Sequence, residues 1–152
     1  MESLLIMLLI FAFGTIIFGI ITYVFMGLSL FSAAELEGIE KKWFAWIPLL
    51  NTIILLKVGN RDIRYIWVFV GVTIVNFLTE FTDSGFLLLL NIALIIWSIV
   101  IQIQAYLGIA NKYEVKPAWF IVGVFILPIM LVAYILFYKK VKNLKLIRAS
   151  LK

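Results

Sequence analysis

From Leu4 to Phe31 the chain runs 28 residues without a formal charge. A bilayer is the setting that requires such a run. Its hydrocarbon core is about 30 Å thick, and a helix rising about 1.5 Å per residue crosses it with about 20 apolar residues. The rest of the chain has the same character: 65% of its 152 residues are hydrophobic and only 14% charged, with a mean hydropathy of +1.17. Soluble chains carry about 45–50% apolar and about 25% charged residues. Too little polar surface exists here to enclose the apolar mass in water, and far too much apolar surface for disorder. The expectation is an all-α integral membrane helical bundle.

The run lengths set the expected spans. The first run is longer than one crossing needs, so tilt or protrusion is expected. Glu2 precedes it, no Lys or Arg does, and no A-x-A site follows, so it is expected to be retained as a span rather than removed as a secretory leader. Four transmembrane helices are placed at about 4–31, 63–81, 85–108 and 117–138, within a single transmembrane domain of residues 1–138. Between Lys42 and Lys57 lie only 14 residues, mostly apolar, about 21 Å as a helix and short of the core thickness. Pro48 interrupts them, and Trp43 and Trp46 favour the membrane–water interface. An interfacial or re-entrant helix over about 47–58 is the reading preferred, with a fifth span as the alternative. Thr82-Asp83-Ser84-Gly85 reads as a turn, Pro117 suits a first helical turn, and Pro128 predicts a kink within the last span.

Residues 139–152 form a basic tail in which Val141, Leu144, Ile147 and Leu151 recur at helical spacing. The tail reads either as a short amphipathic helix lying on anionic headgroups or as a solvated terminus. With four spans, six Lys and Arg on the tail's side face seven on the other; with five, the count is eight against five. The charge rule therefore decides little, and the concentrated tail tips the orientation towards a cytoplasmic C-terminus.

Polar groups at membrane depth are where function is sought. Asn76 lies seven residues before Asp83 and Asn91 eight after it, so the two sit at about the same depth of a helical hairpin and form a candidate hydrogen-bonded pair. Glu80 is the one acid inside an apolar stretch and lies about one turn from the surface, where solvation explains it as readily as proton coupling. Without His or Cys, the commonest general base, thiol chemistry and most transition-metal sites are gone. No P-loop or nucleophile-elbow motif occurs. Glu35, Glu37 and Glu40 are hard-cation candidates only in principle, because Lys41 and Lys42 adjoin them. No cofactor, metal or nucleic acid is expected.

Glu40-Lys-Lys-Trp-Phe-Ala-Trp-Ile-Pro-Leu-Leu-Asn-Thr-Ile-Ile-Leu-Leu-Lys-Val-Gly59 resembles a W-x-A-W-I-P-x-x-N-x-x-x-L-x-K segment of a family of small bacterial multi-span membrane proteins. Their function is uncharacterised, and some are described as signal-peptidase-like although they lack the catalytic residues. Ala105-Tyr-Leu-Gly-Ile-Ala-Asn-Lys-Tyr113, followed by an apolar run with Leu127-Pro128, is similar to the family's closing part. The resemblance covers about residues 33–138 and stops at the basic tail. It implies a bacterial cytoplasmic membrane location and an all-helical fold, and brings no catalytic residue.

A proline-started helix with Lys41, Lys42, Trp43, Trp46, Pro48 and Asn51 around it is a candidate contact for a lipid phosphate or an amphipathic peptide, or else a plain interfacial anchor. The function expected is that of a non-enzymatic membrane protein binding a partner protein, peptide or lipid in an accessory, regulatory or immunity-type role. An oligomeric channel or small transporter is the alternative. Expected partners are membrane lipids, with anionic headgroups at the basic tail, and a membrane-protein partner or further copies of the chain.

Overall fold

The computed structural model describes residues 2–82 and 84–151, and of Glu2 the backbone alone. Asp83 of the expected turn and Lys152 of the tail lie outside the described residues. Among the described residues all regular structure is helical: α1 (Glu2–Leu36), α2 (Leu50–Val58), α3 (Ile66–Phe81), α4 (Gly85–Tyr113), α5 (Pro117–Phe125) and α6 (Leu127–Ser150). Short 3-10 segments, Lys42–Trp46 and Ile63–Tyr65, precede α2 and α3. Three helices are long and apolar enough to cross a membrane: α1, Ile63–Phe81 and α4.

The stretch 117–138, expected as one kinked span, is two helices folded back on each other. Phe120 of α5 packs its ring 6.2 Å from those of Tyr134 and Phe137 on α6. In a straight helix Phe120 and Tyr134 would be about 21 Å apart. The reversal occurs at Ile126, which is extended, and Pro128 stands in the first turn of α6, where its missing N–H costs nothing. Gly123 lets the two backbones close, since a Cβ there would fall 2.8 Å from the Cα of Met130. The aromatic contacts hold the hairpin shut: Phe120 also stacks on Tyr106 of α4 at 5.0 Å.

Residues 42–58 form a second hairpin. Its entry, Lys42–Trp46, descends beside α1: Lys42 pairs with Glu35, while the Trp46 ring lies over Gly27 and its carbonyl accepts a 2.7 Å hydrogen bond from Tyr23. Those α1 positions span 12 residues, about 18 Å of helix. The chain turns at Ile47–Leu49, with Leu49 at φ 69°, and α2 climbs back until Lys57 lines a cavity with Gly38 and Lys41. The expected helix over about 47–58 thus starts at Leu50, because Pro48 and the strained Leu49 make the turn itself.

The C-terminal ends of α1, α4 and α6 gather at one place. Lys145 pairs with Glu35, Arg148 donates to the Leu36 carbonyl at 2.9 Å, and Lys112 reaches Glu37 at 2.7 Å. With its end pinned to the end of α1, α6 runs alongside α1 in the same direction. The tail is therefore the upright last turns of α6, with Val141 buried in the core. Antiparallel α3 and α4 make their own seam. The main core lies where the hairpins enter, around Leu30, Ala34, Leu56, Ile109, Phe120 and Phe137. The other half is open: α1 is exposed on every side from Ser3 to Ile17 and forms no packed seam with α3 or α4.

The chain repeats itself. Thr22, Ser29, Leu30, Ala33 and Ala34 are buried along α1; Ser98, Ala105, Tyr106, Ile109 and Ala110, each 76 residues on, are buried along α4. Both helices end on a residue of positive φ, Gly38 at 71° and Glu114 at 53°. At both ends a bond reaches five residues back, Ile39 N–H to Ala34 at 2.8 Å and Val115 N–H to Ala110 at 3.0 Å, the Schellman pattern of a helix end. Trp43-Phe44 and Trp119-Phe120 then open the two hairpins.

Candidate functional site

The two hairpins divide the expected site residues between a charged mouth and an apolar tip. Lys41 and Lys42 stay at the mouth. Lys42 lies 3.1 Å from Glu35 and 5.2 Å from the centre of the Phe31 ring, and Lys41 lies 5.7 Å from the centre of the Phe44 ring. Trp43 is exposed beside them, edge-on to Phe44. Trp46, Pro48 and Asn51 sit at the tip, with Asn51 in the first turn of α2. The lysines and the start of α2 are therefore at opposite ends of the hairpin and do not form one phosphate site. The first amides of α2 are also occupied: Leu50, Asn51 and Thr52 donate to the carbonyls of Pro48, Ile47 and Leu49.

Backbone groups at the two tips find partners. At the first tip Tyr23 supplies one to Trp46. At the second the Ile126 carbonyl accepts from Ile129 and Met130 at 3.0 and 3.2 Å. Both tips present exposed apolar side chains, Ile47 and Leu49 at one and Phe125, Ile126 and Leu127 at the other.

Across the α3–α4 seam the Asn91 amide donates to the Asn76 side-chain oxygen, leaving the buried Asn91 oxygen unpartnered. Glu80 is exposed on the last turn of α3. Of the acidic trio, Glu35 is held by Lys42 and Lys145, and Glu37 by Lys112 and a hydrogen bond from Tyr113. Among the described residues no three acidic, His or Cys side chains converge as a metal site.

Three features escaped the sequence reasoning. Tyr106 and Tyr134 share a buried 2.7 Å hydrogen bond between α4 and α6. Gly59 and Gly108 bring the end of α2 against α4 so closely that a Cβ on Gly108 would overlap the Gly59 carbonyl. A cavity of about 340 Å³ opens between Lys116, Trp119, Leu136, Lys139, Lys140 and Asn143. The 76-residue repeat was the signal that would have located the cavity, since it sets Lys116 in the place of Glu40, which lines the mouth of the first hairpin. Comparison with known proteins finds no matching family model, curated protein or solved structure.

Proposed function

We propose that this chain is a multi-pass protein of the bacterial cytoplasmic membrane that holds another membrane component and performs no catalysis. Three helices cross, α1, Ile63–Phe81 and α4, and the two hairpins are re-entrant from one side. The bacterial setting rests on the resemblance of residues 40–59.

The observation that carries the reading is the half-depth of both hairpins. α5 has nine residues, about 13.5 Å, so its tip stops near the middle of a 30 Å core. Beyond the tips α1 stands apart from the α3–α4 pair. The apolar surface left uncovered there and at the tips includes Phe11, Ile17 and Leu89, and Leu49 and Phe125. Its chemistry fits an apolar membrane-embedded segment, and its depth lies in the leaflet the hairpins do not fill. The accessory role follows from this shape and from the absence of His and Cys.

Orientation follows from charge. Every Lys and Arg among the described residues lies at the end where the hairpins enter, from Lys41 and Lys57 through Arg64 and Lys112 to Arg148. The even tally expected for four spans becomes complete asymmetry with three. Positively charged ends face the cytoplasm, so the hairpin mouths and the C-terminus are inside and the N-terminus outside.

Photo-crosslinking residues at Phe11, Leu89 and Phe125, in cells, test the binding role. All three positions should capture one and the same transmembrane segment of one partner. Adducts with lipid alone, or three unrelated proteins, overturn it. A conductance in planar bilayers that Asn76→Leu abolishes would replace it with the channel reading.

A further inference from the structure

We infer that the mouth of the second hairpin is a binding site for an anionic phospholipid of the leaflet from which the hairpins enter. The inference rests on the bilayer reading above and concerns a different place from the apolar opening. The cavity between α5 and α6 holds about 340 Å³. Lys116, Lys139 and Lys140 stand around it with Asn143, and Trp119 and Leu136 form its apolar side. One acid shares it: Glu114 faces Lys140 at a loose 3.9 Å. The balance is two uncompensated positive charges in one small cleft.

The order of residue types along the cleft matches a lipid. Tyr138 ends the apolar part of α6 and Lys139 begins its basic part, so the lysines mark the headgroup level. Leu136 lies one turn deeper on α6, and Trp119 belongs to the first turn of α5. A phosphate among the lysines would leave its acyl chain lying along Trp119 and Leu136. Trp is at home at that boundary, and ammonium groups on long stems reach up from it. The upright end of α6 keeps Asn143 above the phosphate level as a further donor. A free phosphate would use the lysines and ignore the apolar wall; the wall is what selects a lipid.

The repeat supplies an internal comparison. The first hairpin's mouth is a cavity of about 440 Å³ with Lys41, Lys57, Phe44 and Ile54. There Glu40 occupies the place that Lys116 takes 76 residues later, which leaves one positive charge in excess where the second mouth has two. The first mouth thus has half the excess charge and no tryptophan in its wall, so the second mouth binds and the first does not.

Native mass spectrometry of the detergent-purified full chain tests this with phosphatidylglycerol, with phosphatidylcholine and with inorganic phosphate. One phosphatidylglycerol should be retained per chain, and neither phosphatidylcholine nor inorganic phosphate at the same concentration. Each lysine near an anionic surface is worth about five-fold in affinity, so Lys116→Gln with Lys139→Gln should weaken the adduct on the order of 20-fold. Lys142→Gln with Arg64→Gln, which removes the same charge elsewhere, should leave it. Glu40→Lys should add a second lipid; this gain keeps the test decisive if the lysine variants misfold. Equal loss in both double variants, a single adduct in Glu40→Lys, or equal retention of inorganic phosphate would overturn the site. A chain that is monodisperse without detergent would overturn the bilayer reading instead.

Discussion

At Gly108 one hydrogen atom separates contact from collision. α2 ends on Gly59 against α4, and a methyl group on Gly108 would enter the Gly59 carbonyl, which is backbone and cannot swing aside. Overpacking of this kind costs about 1–3 kcal/mol. Gly108→Ala should therefore lower thermal stability in detergent, whereas Gly19→Ala, with open space around it, should not. The Tyr106–Tyr134 pair has a different signature. Both hydroxyls are buried and each satisfies the other. Tyr134→Phe strands the Tyr106 hydroxyl, at about 1–3 kcal/mol. Adding Tyr106→Phe removes the stranded group, so the double variant should be more stable than that single one, read by the same melting experiment. Asn76 and Asn91 belong to this scale too. Replacing both by Leu removes their bond across the α3–α4 seam and should cost about 0.6–1.7 kcal/mol in the same melting experiment. Their common depth was readable by counting residues from Asp83; the tyrosine and glycine contacts were not, because each joins segments 28 or more residues apart.

The elements with most consequence are the two hairpins. Each is a helix pair reversed at an apolar tip, and in each a proline stands beside the reversal without being sufficient for it. Pro128 is as compatible with a bent through-helix as with a hairpin. Gly123 against Met130 and Phe120 between Tyr106 and Tyr134 settle which forms. The chain has no cysteine, so single substitutions report topology cleanly. Glu114→Cys, three residues before α5, and Asn143→Cys, in the basic part of α6, should both react with a membrane-impermeant thiol reagent from the same side. Ile126→Cys at the tip should react from neither. A crossing helix over 117–138 would put Glu114 and Asn143 on opposite sides and reverse the first result.

The molecule as a whole is a half-filled layer. One half holds three helices, two hairpins and the hydrophobic core; the other holds α1 alone and the α3–α4 pair. α1 has 35 residues, about 52 Å and well beyond one hydrocarbon thickness, so its tilt is set by what it leans on. In the packed half it leans on α6 and the first hairpin; in the open half it has no support from this chain. The repeat explains the asymmetry: α1 and α4 each carry a hairpin on their C-terminal half, and on the N-terminal half α4 has only α3, which returns the chain, while α1 has no packed partner. With all the described cations at the hairpin end, Ser3→Cys in whole cells should be labelled from outside, and Lys57→Cys only after the membrane is opened. The reverse pattern would refute the orientation.

Apolar run lengths and the scarcity of charge sufficed to predict a helical chain with helices long and apolar enough to cross a membrane, since they depend on composition and local order alone. They also placed the helix starts at Pro117 and Gly85 and the shortness of the stretch beyond Lys42. The direction in which a segment leaves a proline is another matter. It depends on which distant surfaces accept its side chains, and no local count holds that information. So only the tertiary contacts turned 117–138 back on itself, stood the basic tail upright against α1 and gathered the cations at one end.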